Sequence, residues 1–133
     1  MDKEKLKKKL HGCYVTVPTP FEDSEGLPIN YSAITDYVNF LFDNGLDSKN
    51  STLLFGGAAG DFSTMTFEER RELAEKSSKI VDGRAPIALG GQTTSTLELI
   101  KLAETAQSNN FDFIQVSSPF YFMHTEDDFI EYI

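Results

Sequence analysis

Three glycines within five residues, Gly56, Gly57 and Gly60, stand between the apolar run Leu53-Leu54-Phe55 and the pattern Thr66-x-x-Glu69. The run reads as a short strand, and Thr66 with Glu69 as a capping box that opens a helix. Glycine lets a backbone turn sharply and approach a ligand without interference from a Cβ. Amides left free between a strand end and a capped helix suit a carboxylate or a phosphate. Gly57, Ala58, Ala59 and Gly60 are therefore candidate ligand-binding residues, acting through backbone N–H groups. The same pattern also describes a tight turn that holds nothing. Local residues leave both readings open.

Other residues offer less chemistry. His11 and His124 have no Cys or His partner at zinc-ligand spacing, so no metal site is expected. Glu126, Asp127 and Asp128 fall in a first helical turn, where acids favour the helix dipole. Phe40, Phe42, Phe55, Phe62, Phe111 and Phe113 read as core and helix–sheet packing rather than as a cofactor box.

The elements that must position the glycine turn repeat one unit. Strands are expected at Cys13–Val17, Thr52–Phe55, Pro86–Leu89 and Phe111–Val116, rich in β-branched, aromatic and aliphatic residues. Between them, helices are expected at Tyr31–Asn44, Phe67–Val81 and from a Ser95/Glu98 capping box to about Asn109, with another start at Thr125–Asp128. Strands alternating with helices over short connections indicate a parallel α/β sheet, and near-continuous apolar strands indicate burial on both faces. In such sheets ligands sit at the C-terminal strand ends. That singles out residues 16–21, 56–61, 90–94 and 117–121, each rich in Gly, Pro, Ser, Thr or Tyr.

Composition sets outer limits. At 133 residues the chain is one domain or part of a larger one. A hydrophobic content of 40% and a charged content of 25% suit a water-soluble globular chain. No apolar run nears the roughly 18 residues that span a bilayer, so no membrane partner is expected. The first residues carry charge without an apolar stretch and do not read as a secretory signal. A single cysteine, Cys13, excludes an internal disulfide and fits a reducing, cytoplasmic setting. The net charge of −9 argues against nucleic acid. Five lysines and His11 among residues 1–11 read as a solvated helical arm, ahead of a folded unit at 12–133.

The ordered series Val17-Pro-Thr-Pro-Phe21, Gly57-Ala-Ala-Gly-Asp61, Thr66-Phe-Glu-Glu-Arg70, Gly83-Arg-Ala-Pro86 and Ser118-Pro-Phe-Tyr121 resembles the dihydrodipicolinate synthase / N-acetylneuraminate lyase family. It runs from Gly12 to the end of the chain. The resemblance implies the first four units of a (β/α)8 barrel, whose complete form takes roughly 250 residues. It also implies a lyase that forms a Schiff base between a lysine and a small 2-keto acid such as pyruvate, with no cofactor and in a homo-oligomer. Tyr121 matches the family tyrosine that shuttles protons at the strand ends. Taken by itself, it could equally cap the apolar loop of Phe120, Phe122 and Met123.

Two departures from the family pattern stand out. Family members carry two hydroxyl residues where this chain has Ala58 and Ala59, and a glutamate where it has Asp61. Backbone N–H groups there could still hold a carboxylate, but no proton relay passes through alanine. That points away from the synthase reaction and toward a divergent aldolase or dehydratase. The Schiff-base lysine, which the family places on its sixth strand, is also absent. Lys3, Lys5, Lys7, Lys8 and Lys9 lie in the arm, Lys49 precedes the second strand, and Lys76, Lys79 and Lys101 fall on helices. Two classes follow: part of a Schiff-base lyase whose nucleophile lies elsewhere, or a non-catalytic half-barrel that acts as an assembly or binding module by pairing its open edges.

Overall fold

A computed structural model of the chain describes residues 3–120 and 123–133. Four parallel strands lie in sequence order: β1 (Cys13–Thr16), β2 (Ser51–Phe55), β3 (Ile87–Gly90) and β4 (Phe113–Gln115). The helices are α1 (Lys3–Lys9), α2 (Tyr31–Asp43), α3 (Phe67–Val81), α4 (Thr96–Ser108) and α5 (Glu126–Tyr132). The strand bounds fall within one or two residues of those expected from the sequence.

Register separates the two sheet faces. Val15, Leu53 and Ile87 stand side by side, and Phe55 pairs with Leu89 two residues further on. This row meets the helices. Leu53, Phe55 and Ile87 pack with Ile34 and Val38 of α2 and with Leu73 and Val81 of α3. Leu89 packs with Ala74 of α3 and Ala106 of α4. Thr16, Leu54, Ala88 and Phe113 form the alternate row on the inner face, because successive side chains leave a strand on opposite sides.

Several details differ from the sequence expectation. Only β2 and β3 are buried throughout; β1 and β4 are partly exposed, because each has a neighbour on one side alone. Phe40 is not core but exposed, on the outward side of α2. Two 3-10 turns, Ala58–Gly60 and Phe62–Thr64, lie between β2 and α3, so the glycine turn does not run directly into the helix. An antiparallel bridge joins Phe21 to Ile29 ahead of α2.

The capping residues behave unevenly. Thr66/Glu69 and Thr125/Asp128 form complete boxes. At α4, Ser95 accepts from the Glu98 N–H, but the Glu98 carboxylate turns to the Thr93 hydroxyl, so only half of that box forms. Helix α1 buries no residue. It is anchored at its end, where Thr52 Oγ1 donates to Lys9 O at 2.7 Å and Lys9 Nζ pairs with Asp112. Among the described residues, no helix is long and apolar enough to cross a membrane.

Candidate functional site at the strand ends

The C-terminal ends of β1, β2 and β3 converge on the glycine turn. After β2, Gly56 takes a φ of +61°, a left-handed conformation that a side chain disfavours. Its carbonyl then lies over Gly90 of β3: a Cβ at Gly90 would sit 1.9 Å from Gly56 O, so only glycine fits there. Gly60 lies close to the residue after β1, where a Cβ would stand 3.0 Å from Val17 O. The buried Thr19 donates its hydroxyl to Gly60 O at 2.7 Å and ties the turn to the segment after β1.

Within the turn the four candidate residues divide. Gly57 caps the first 3-10 turn in an extended conformation, and its carbonyl accepts from Gly60 N at 3.0 Å. Gly60 thus spends its N–H within the turn, and its part there is structural. The N–H groups that open a 3-10 turn have no partner inside it; here they belong to Ala58 and Ala59, both exposed. Asp61 follows in the left-handed region at φ +55° and is exposed. Tyr121 lies outside the described residues.

The site also contains residues that motif reading passed over. Arg70 is 5% exposed, on the buried side of α3 with Leu73 and Ala74. Its guanidinium donates from Nη1 to Gln92 O at 3.0 Å and from Nη2 to Gly90 O at 2.8 Å, clamping the end of β3. Burial lowers its pKa from the usual arginine value, opposed by Glu98 and Tyr132. The group stays charged all the same, since an arginine does not lose its proton in a protein. The Phe62 ring lies 5.7 Å from the guanidinium carbon and meets Phe120 edge-on at 5.9 Å, which brings the loops after β2 and β4 together.

Gln92 and Thr93 are both 5% exposed. Thr93 O accepts from the Tyr132 hydroxyl at 2.7 Å, docking α5 over the end of β3. Burial, and then Glu98, raise the Tyr132 pKa, so that phenol is a fixed donor. Gln92 Oε1 is buried and has no hydrogen-bond partner. A signal for Arg70 was present in the sequence, as a cation at a position on the apolar stripe of its helix. Gln92 falls within 90–94, a segment the strand-end rule singles out, whereas Tyr132 had no signal, because its contact with Thr93 crosses between distant segments.

All nine lysines are exposed and lie away from this site. Lys79 pairs with Glu75, Lys76 stands over the Tyr31 ring, and Lys101 stands over the Phe67 ring. Among the described residues no group of three or more His, Cys, Asp or Glu could hold a metal ion. The groove between α3 and α4, about 690 Å³ and lined by charged residues such as Glu68, Arg71, Glu72 and Lys101, is on the opposite, helical side of the sheet.

Comparison with known proteins bears on the fold and family. The model of the dihydrodipicolinate synthetase family matches residues 9–133. A 4-hydroxy-tetrahydrodipicolinate synthase of Desulfotalea psychrophila is 31% identical over 113 residues, which are 85% of this chain and 36% of that protein. A probable 2-dehydro-3-deoxy-D-pentonate aldolase of Escherichia coli is 35% identical over 114 residues, 86% of this chain and 36% of that protein. The crystal structure of an Escherichia coli prophage protein of the dihydrodipicolinic acid synthase family, in complex with pyruvate, superposes with a TM-score of 0.81 at 30% identity, covering 92% of this chain and 39% of that one. Dihydrodipicolinate synthase from Aquifex aeolicus superposes with a TM-score of 0.82 at 29% identity, over 92% and 40% of the two chains. This chain thus spans a little over a third of the length of the curated relatives it matches. Its four parallel strands and their helices match the N-terminal portion of those TIM barrels. The chain belongs to the dihydrodipicolinate synthetase family.

Proposed function

We propose that the protein carrying these residues is a lyase that acts on a small, pyruvate-like 2-keto acid through a Schiff base, with the nucleophilic lysine outside these 133 residues. The observation that carries this reading is the strand-end turn, held against β1 by Thr19 and Gly60 and leaving the N–H groups of Ala58 and Ala59 for a ligand. Two adjacent amides suit a carboxylate, since each donates to one oxygen without needing a side chain. A family relative crystallised with pyruvate supports the same substrate class. A Schiff-base lysine is activated by desolvation or by a neighbouring cation in its pocket, and every lysine of this chain is exposed.

The roles proposed are these. Ala58 and Ala59 bind the keto-acid carboxylate through their N–H groups, and Gly57 and Gly60 shape the turn. Tyr121 moves protons at the reacting carbon, as its match to the family tyrosine implies. With alanines where the family pattern has hydroxyls, the reaction is an aldol cleavage or dehydration rather than the synthase condensation. Similarity to the probable aldolase of Escherichia coli supports that preference. The protein works as a homo-oligomer in the cytosol, without a cofactor.

Borohydride trapping tests this. The protein as its gene encodes it, incubated with pyruvate and borohydride, should gain one reduced pyruvyl group on one lysine by intact mass. The present chain alone should gain none. Absence of the adduct from the encoded protein would refute the Schiff-base reading and leave the non-catalytic module. A stoichiometric adduct on the present chain would refute the placing of the lysine.

A further inference from the structure

Gln92 is the one residue at the strand ends whose side chain is buried and left with an unpartnered acceptor among the candidate-site residues described above. Its main chain is fixed, because Gln92 O accepts from Arg70 Nη1. The direction of its side chain follows from Gly90. Leu89 packs toward α3 and α4, so the next residue, Gly90, presents its α-hydrogens to the inner face. A Cβ built there would stand 2.8 Å from Gln92 Oε1. The carboxamide oxygen therefore lies on the inner face at the level of Gly56 and Gly90, beside the turn that carries Ala58 and Ala59. Buried polar atoms without partners are rare in folded proteins and costly, which makes a hydrogen-bonding partner the expected complement.

The geometry points to Gln92 as a specificity-determining residue: its carboxamide hydrogen-bonds a hydroxyl on the part of the substrate beyond the 2-keto acid. This rests on the lyase reading above. A hydroxyl is the fitting partner because it can donate to the amide oxygen or accept from the amide nitrogen, whichever way the group is turned. A carboxylate has no proton to give the oxygen, and an alkyl group would leave it unpaired. The aldehyde half of the substrate accordingly carries a hydroxyl. Arg70 is a positioning residue in this arrangement, since it holds Gln92 through the backbone.

The test uses the protein as its gene encodes it. Its kcat/KM for aldol addition of pyruvate is compared between glycolaldehyde and acetaldehyde, which differ by the hydroxyl alone. In Gln92→Met, which keeps the volume and removes the hydrogen bond, the preference for glycolaldehyde should fall about tenfold, as for loss of a neutral hydrogen bond at the upper end of its range. Should Gln92→Met fail to fold, Gln92→Asn withdraws the amide by one methylene and should lower the same ratio. An unchanged ratio in a folded variant, or no preference in the wild type, overturns the proposal whatever the variants do. Borohydride trapping of the wild type separates the two readings. An adduct with an unchanged ratio removes only the role of Gln92, and no adduct removes the lyase reading together with it.

Discussion

Arg70 shows how one buried cation organises the strand-end site. Its two hydrogen bonds, to Gly90 O and Gln92 O, join α3 to the end of β3, where main-chain carbonyls would otherwise be buried without partners. Replacing it with methionine keeps most of the apolar stem but strands both carbonyls. With roughly 1–3 kcal/mol for each buried group left unpaired, Arg70→Met should destabilise the fold by on the order of 3 kcal/mol. Arg70→Lys, with a single ammonium and no fork, should recover part of that loss. Urea unfolding midpoints of the three proteins measure it. Equal midpoints for wild type and Arg70→Met would mean that the clamp contributes nothing.

The helices are held by different devices at their two ends. At the end of α3, Arg84 donates to Ile80 O at 2.7 Å and Val81 O at 3.1 Å, and its guanidinium lies 4.4 Å from the Phe42 ring centre, tying α3 to α2. At the start of α5, the Asp128 carboxylate accepts from both the N–H and the hydroxyl of Thr125. Those bonds hold the Asp128 pKa below the ordinary aspartate value. The stabilisation is therefore complete above the unfolded-state pKa, near 4, and is lost as pH falls through the lower folded-state value. Helix α5 should fray on acidification below about pH 4, which amide exchange or tyrosine fluorescence of Tyr132 would register. In Asp128→Asn that acid-dependent loss should disappear, because the position no longer titrates. A titration unchanged by the substitution would contradict the account.

At the scale of the whole molecule, four strands make an open arc. β1 and β4 each present an unpaired edge, and the exposed Tyr14 stands on the inner face. Unpaired parallel edges next to exposed apolar surface favour strand-to-strand association. The isolated 133-residue chain should consequently run above its monomer mass of 14.9 kDa, with a share of larger species that rises with concentration. Sedimentation velocity across a hundredfold concentration range would show this. A single monomeric species throughout would mean that the edges are already protected.

Much of this architecture could be read from the residues themselves. Alternating strand and helix segments, the glycine turn and the Thr66/Glu69 box depend on neighbours within a few positions, where backbone sterics and capping act directly. Aliphatic runs such as Leu53–Phe55 marked the buried centre of the sheet for the same reason. Position in the assembled sheet was decided elsewhere. Similar apolar composition left β2 enclosed and β1 half-exposed, because burial depends on how many strands flank each one. Likewise the Glu98 side chain, in a fitting capping pattern, was drawn to Thr93 by the path of the loop after β3. The carbonyl clamp of Arg70 and the unpartnered carboxamide of Gln92 arise from segments brought together by folding. Such contacts leave little trace in local spacing, since the residues that make them are far apart along the chain.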